Sequence, residues 1–284
     1  MNVSQKSTQL VVIGAGPGGY AAAFLAADLG MEVTLVDPEA NPGGVCLYRG
    51  CIPSKALLHV AKVIRESREA EHWGLSYAEP VIDLDRVRAW KDEVVQKLTG
   101  GTGELAKRRK VEHLRGRARF QDARTLVVAG NDGAETILGF SHAIVATGSR
   151  PIELPFVPQG SPRVMDSTGA LDLPDIPGSL LVVGGGYIGL ELGSVYAALG
   201  TKVSVVEMTP TLLPGADKDL VRPLARRMDR ILETIHLETR VTSMEDTGSG
   251  VHVRFEGKSD TTEATYDRVL ISVGRRPNAE GLGL

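Results

Sequence analysis

The chain has 284 residues, 42% hydrophobic and 24% charged, with a formal net charge of −3. That length allows two cores, the balance excludes a disordered chain, and the near-neutral charge gives no overall basic footprint for nucleic acid. Two cysteines are too few for a secreted disulfide framework, and no run reaches the roughly 18 apolar residues of a membrane span. The start, Met1-Asn2-Val3-Ser4-Gln5-Lys6, lacks an apolar signal core, so a cytoplasmic location is expected.

In chain order, Leu10-Val11-Val12-Ile13 predicts a strand that runs into Gly14-Ala15-Gly16-Pro17-Gly18-Gly19, an Ala-rich helix to Gly30, and a second strand ending Val33-Thr34-Leu35-Val36-Asp37. Next comes Gly43-Gly44-Val45-Cys46-Leu47-Tyr48-Arg49-Gly50-Cys51-Ile52-Pro53-Ser54-Lys55, which holds both cysteines. A thiol pair this close in sequence, directly behind a nucleotide-binding turn, points to redox chemistry. Residues five apart on an ideal helix are displaced by roughly 7.5 Å along its axis and face different sides. Closing a disulfide therefore requires a distorted helix start, which Gly50 and Pro53 permit. Sulfurs near a helix N-terminus also have stabilised thiolates, as an exchange nucleophile needs.

Two packed helices are predicted over Ser54 to Glu71 and Asp85 to Lys110, with Leu57, Val60, Val63 and Val94, Leu98, Leu105 on their apolar faces. Lys107-Arg108-Arg109-Lys110 reads as a solvated helix end rather than a nucleic-acid patch. The strands Thr125-Leu126-Val127-Val128 and Thr136-Ile137-Leu138 flank the turn Asn131-Asp132-Gly133, a hairpin signal. The strand Ala143-Ile144-Val145 then leads out of the first domain at Gly148-Ser149-Arg150-Pro151.

From Leu180 the opening pattern returns. Gly14, Gly30 and Asp37 match Gly184, Gly200 and Glu207 at a constant offset of 170. The first glycine makes the tight turn, the second admits a pyrophosphate, the third lets helix pack on strand, and the acid can bind ribose hydroxyls. One such fingerprint is weak and could be an ordinary packing turn; two strand-flanked copies, each with its acid, point to two nucleotide folds. The fold class is therefore α/β with two Rossmann-like (FAD/NAD(P)-binding) domains, the second inserted in the first. The second fold closes on Val269-Leu270-Ile271-Ser272-Val273 before Gly274-Arg275-Arg276-Pro277. Expected domains are 1–150 with the redox pair, 151–274, and 275–284 as the start of a return to the first.

The series G-A-G-P-G-G, G-G-V-C-L-Y-R-G-C-I-P-S-K, A-T-G-S-R-P, G-G-G-Y-I-G-L-E and V-G-R-R-P-N resembles the flavin-dependent pyridine nucleotide-disulfide oxidoreductases, especially the branch that oxidises dihydrolipoamide. The resemblance covers essentially the whole sequence. It implies FAD in the first fold, NAD in the second, and electrons passing from dihydrolipoamide to the disulfide, to flavin, to NAD. It makes Cys46 the thiol that exchanges with substrate, Cys51 the one beside the flavin, and Lys55 with Glu191 an ion pair that meets beside the flavin ring although the two lie in different domains. It assigns Gly14, Gly16, Gly19, Asp37, Gly44, Lys55, Gly116, Ala118, Thr147 and Gly148 to FAD. It assigns Gly184, Gly186, Ile188, Gly189, Glu207, Val241, Gly274 and Arg275 to NAD, with Val241 equally readable as core. Asp37 stands where the family more often has glutamate, and Ala118 where a second glycine is usual. Glu207 favours NAD over NADP, since a carboxylate repels a 2′-phosphate and no arginine occurs from Met208 to Leu220 to compensate.

Tyr48 and Arg49 replace the Asn-Val usual between the cysteines; Arg49 either lowers a thiol pKa or faces solvent. None of the six histidines shows metal-ligand spacing, so no metal is expected, and none sits in the His-Pro segment that serves the family as acid-base catalyst from a C-terminal interface domain. By resemblance the C-terminal part is lacking, and these 284 residues alone are expected to retain flavin weakly and turn over little lipoamide. The implied partners are the lipoyl domain of a 2-oxo acid dehydrogenase complex and, for the full-length protein, a second copy, with no nucleic acid or membrane. A related flavin-dependent reductase of another disulfide and a non-catalytic nucleotide-binding module are the alternatives.

Overall fold

The computed structural model describes residues 3–284. By contact the chain forms two compact units, Met1–Ile52 with Asp92–Arg150 and Arg276–Leu284, and Pro53–Lys91 with Pro151–Arg275. The first begins β1 (Val3–Ile13), α1 (Pro17–Asp28), β2 (Val33–Val36) and α2 (Gly44–Arg49). The helices α3 (Cys51–Glu69) and α4 (Leu84–Arg108) carry the chain out of that unit and back. There follow β3 (Glu112–Leu114), β4 (Gly116–Asp122), β5 (Thr125–Gly130), β6 (Glu135–Val145) and the short β7 (Ser149–Pro151).

The sheet order is β3-β2-β1-β6-β5-β4, parallel from β3 to β6 and antiparallel through the β4–β5–β6 meander. β1 is longer than the apolar run Leu10–Ile13 because Ser4, Gln5 and Lys6 pair with Thr136, Ile137 and Leu138 of β6. Polar residues become strand there through pairing, not propensity. For the same reason the predicted strands at 136–138 and 143–145 are one strand, β6. The hairpin turn is as read, with Gly133 at φ +80°.

The second unit adds β8 (Val164–Met165), α5 (Ser167–Leu171), β9 (Ser179–Val183), α6 (Tyr187–Leu199), β10 (Lys202–Val206), α7 (Lys218–Ile231) and β11 (Thr234–His236). It continues through β12 (Thr239–Asp246), β13 (Val251–Gly257), β14 (Glu263–Tyr266) and β15 (Arg268–Ile271), and β16 (Arg275–Pro277) leads out of it. Its parallel sheet runs β11-β10-β9-β15-β8, and β12-β13-β14 form a separate antiparallel sheet.

Residues 53–91 group with 151–275 rather than with the remainder of 1–150, because Leu57, Ala61 and Ile64 of α3 are buried in one cluster with Leu180, Leu190 and Leu192. Burying such a side chain stabilises the fold by about 1.5–3 kcal/mol, enough to decide which core a helix joins. The helix faces need correction. Leu57 is buried, but Val63, Leu98 and Leu105 are exposed. The inward residues of α4 near its C-terminal end are Thr99, Gly103 and Ala106, whose small size permits close approach where Leu would not fit. Among the described residues no helix is long and apolar enough to cross a membrane.

Candidate functional site

Each unit builds the same turn. Gly14 and Gly184 have φ +97° and +107°, where a side chain is strained, and their N–H groups donate to Val36 and Val206. A Cβ on Gly184 would lie 2.6 Å from the carbonyl oxygen of Ser272, and one on Gly14 would run into that of Ala146, beside Thr147. One turn into each helix, a Cβ on Gly19 or Gly189 would strike the carbonyl of Gly14 or Gly184, so helix and strand touch only through glycine. The helices begin at Gly16 and Gly186 with no side-chain cap; nothing stands within 4 Å of where a Cβ on Gly186 would sit, and one on its counterpart Gly16 would meet only Gly44 Cα, at 3.9 Å. Helix N-terminal N–H groups facing open space fit a diphosphate.

The two acids are clamps. Asp37 Oδ2 accepts from the Ala15 N–H at 2.7 Å and Oδ1 from Glu39 N–H at 2.9 Å. Glu207 Oε2 and Oε1 accept from Gly185 and Thr209 N–H, both at 2.8 Å. The offset of 170 thus holds for hydrogen bonds as well as residues. The shorter Asp37 makes the same pair of contacts as Glu207, and both acids are buried. Charge-assisted bonds of this kind are worth about 1.5–3 kcal/mol each.

Other assigned residues gather around these turns. Gly116 N–H donates to Asp37 O at 3.2 Å, and Ala118 pairs with Val128 two residues along the same strand. Thr147 Oγ1 donates to Asn278 O at 2.7 Å, and Asn278 N–H donates to Gly148 O at 2.9 Å. In the second unit Gly274 O accepts from Ile152 N–H at 3.1 Å, and Arg275 opens β16. Ile188 packs partly buried against the α6 core, whereas the Val241 side chain lies in the core of the β12–β14 sheet, beside a bulge at Thr242.

The redox segment is a broken helix. α2 ends at Arg49 and α3 starts at Cys51, so the helix is broken at Gly50 between the two cysteines, which are not bonded to each other in this structure. A Cβ on Gly50 would lie 2.8 Å from the carbonyl oxygen of Val45 and 3.3 Å from Cys46 Cα; the bare backbone folds back against the turn that holds Cys46. At the other end, Gly43 N–H donates to Ala15 O at 2.8 Å, and a Cβ on Gly44 (φ +55°) would come within 2.5 Å of Gly16 Cα. The helix of Cys46 is therefore lodged directly on the first glycine turn. Cys46 is half-buried and Cys51 exposed. The Arg49 side chain is 42% exposed, and its guanidinium pairs with Glu39. The neighbouring Tyr48 hydroxyl accepts from Asn41 N–H and donates to Asn41 O, both at 3.1 Å.

Lys55 Nζ lies 2.6 Å from Glu191 Oε1, and Ser54 Oγ donates to Glu191 Oε2, also at 2.6 Å. These three residues belong to one unit, although the sequence placed Lys55 and Glu191 in different domains. Ser54 is a partner that sequence reasoning missed, and only its adjacency to Lys55 hinted at it. The Lys55 side chain is 60% exposed, so the pair contributes little to stability. Burial holds His113 on β3 below the usual imidazole range despite the attraction of Asp37, and burial does the same to His236 on β11.

The family described as pyridine nucleotide-disulphide oxidoreductase matches residues 8–284. A dihydrolipoyl dehydrogenase of Haemophilus influenzae is 51% identical over 273 residues, covering 96% of this chain and 57% of its own length. The chain thus spans little more than half the length of the curated relatives it matches. Among solved structures, LpdA from Mycobacterium tuberculosis superposes with a TM-score of 0.87 at 28% identity, covering 97% of this chain and 60% of that one. The copper(II) complex of RclA, an HOCl-induced flavoprotein disulfide reductase of Escherichia coli, gives 0.82 at 29%, covering 100% and 59%.

Proposed function

The chain belongs to the pyridine nucleotide-disulphide oxidoreductase family, and from that premise we propose that its protein is a dihydrolipoyl dehydrogenase, oxidising dihydrolipoamide with NAD through a Cys46–Cys51 disulfide and FAD. The observation that carries this reading is the broken helix pair: Cys46 and Cys51 flank the break at Gly50, and their segment sits on the first glycine turn through Gly43 and Gly44. The two uncapped helix starts, α1 and α6, fit the diphosphates of FAD and NAD respectively.

When bound, FAD relays an electron pair and NAD accepts it as hydride. The chain's own residues do the rest. One thiolate of dihydrolipoamide attacks the Cys46 sulfur and breaks the bond to Cys51; the second thiolate then displaces Cys46, so that lipoamide leaves oxidised and both electrons stay on the cysteine sulfurs. Asp37 and Glu207 hold their turns in shape for the nucleotides, and Glu207 disfavours a 2′-phosphate. Glu191 and Ser54 hold Lys55 as a fixed positive charge for the flavin. The lipoyl domain of a 2-oxo acid dehydrogenase complex, a second copy of the protein, and a cytoplasmic setting complete the proposal.

The test is NAD-linked oxidation of dihydrolipoamide by FAD-loaded protein, with glutathione, a monothiol, as the competing substrate. Cys46→Ser and Cys51→Ser should each lower turnover on the order of 10³-fold or more. Turnover that survives either substitution refutes the mechanism.

A further inference from the structure

Tyr48 and Arg49, the two residues that set this redox segment apart from the Asn-Val usual in the family, both reach out of α2 to the same loop. Arg49 pairs with Glu39, and the Tyr48 hydroxyl bonds both backbone groups of Asn41. The Tyr48 ring packs where a Cβ on Gly43 would meet its Cε2 at 3.1 Å.

A clasp positions only if its far half is fixed, and this loop is held at several points. Glu39 N–H is bound by Asp37, whose other oxygen takes Ala15 N–H in the glycine turn. Pro42 O accepts from the Thr102 hydroxyl of α4, Gly103 leaves room for the Asn41 side chain, and Gly43 N–H donates to Ala15 O. The other end of α2 abuts Gly50, so Cys46 sits between a clasped face and the break leading to Cys51.

We propose that Tyr48 and Arg49 are positioning residues that clasp the helix of Cys46 to the 39–43 loop and thereby stabilise the Cys46–Cys51 disulfide over the dithiol. The inference rests on the reading of these cysteines as the exchanging pair. Holding one sulfur in place without the help of the S–S bond raises its effective concentration at the other, which favours the closed form. Loosening α2 makes the bond easier to reduce.

The equilibrium to measure is with glutathione. One glutathione thiolate attacks the protein disulfide to give a mixed disulfide and one protein thiol; a second displaces the remaining protein thiol. The protein gains two electrons and two protons, and glutathione leaves as its disulfide. Whole protein is equilibrated across glutathione ratios, acid-quenched and alkylated, and its thiols are counted by mass. Tyr48→Phe, which removes only the hydroxyl, and Arg49→Ala should each shift the equilibrium toward dithiol about threefold, and together about tenfold, which is about 30 mV.

The charge swap Glu39→Arg with Arg49→Glu should restore the value that Glu39→Arg alone disturbs, which a purely structural role for either residue does not require. Variants within twofold of the parent, or shifts toward disulfide, overturn the clasp. Should any variant lose its near-ultraviolet circular dichroism, Tyr48→Phe decides the matter, since it keeps the ring. If the unsubstituted protein takes up two alkyl groups at every ratio, no disulfide forms, and the oxidoreductase reading fails before the clasp does.

Discussion

The two nucleotide folds agree position by position through the glycine turn, the acid and the two N–H groups it binds, and then continue together for four more residues. Gly43 N–H donates to Ala15 O in the first, and Leu213 N–H, again 170 further on, donates to Gly185 O in the second. Here they part. The first copy has Gly43-Gly44, enters α2 at once and delivers Cys46 within its first turn. In the second, Leu212 is 2% exposed and its Cδ2 would stand 2.8 Å from a Cβ on Gly185; no helix forms until Lys218. After the same hydrogen bond, the first copy continues through Gly44 into the reactive segment, while the second has Leu213-Pro214 there and a buried Leu212 where the first has Pro42.

The largest test of that likeness is Gly19→Ala against Gly189→Ala. Both should cost on the order of 3–4 kcal/mol in chemical denaturation, because the new methyl meets backbone that cannot yield. Gly18→Ala, with open space around it, should be neutral or stabilising by up to about 1 kcal/mol. Next, Leu212→Ala should cost about 2–3 kcal/mol, a cavity penalty with no counterpart in the first fold, and should weaken NAD binding in titration calorimetry more than FAD retention.

Exchanging the acids sharpens the comparison further. Glu207→Asp should lose reach to Gly185 or Thr209 and cost about 1–2 kcal/mol, whereas Asp37→Glu should overfill its site for a similar loss, both read from urea midpoints. The smallest effect is pH dependence. His113 and His236 are held below the imidazole range by burial, so the unfolded chain binds protons more readily than the folded one. Their contribution is nil well above pH about 6.5, and stability falls as pH drops through that value. Replacing either by Asn should flatten the acid limb of a melting-temperature profile.

What was legible in the sequence was whatever repeats or alternates: the glycine turns, their acids and the 131–133 hairpin, together with a distorted helix start that Gly50 and Pro53 permit. Local pattern failed where pairing decides. Ser4 to Lys6 are strand only because β6 lies beside them, and the inward side of α4 is made of Thr99, Gly103 and Ala106 while Leu98 and Leu105 face out. Nothing linear joins Ser54 to Glu191, 137 residues away, or aims Arg49 at Glu39 rather than at a thiol. The acids were read as ribose ligands, and their backbone clamp was missed because a main-chain donor leaves no trace in residue identity.

The pairing of β1 with β6 has a cost in time. Ser4 meets Thr136 across 132 residues, and Thr147 meets Asn278 across 131. At a translation rate of about 5–20 residues per second, each partner emerges from the ribosome roughly ten seconds after the other. During the first interval the apolar stretch Leu10–Ile13 is without the neighbour on one side; by the end of the second, every residue of the inserted unit has been made. The nascent chain therefore holds every strand of the six-stranded sheet by residue 145, before residues 151–275 of the second unit are made, and anything that delays synthesis near residue 140 prolongs the time for which Leu10–Ile13 lacks β6.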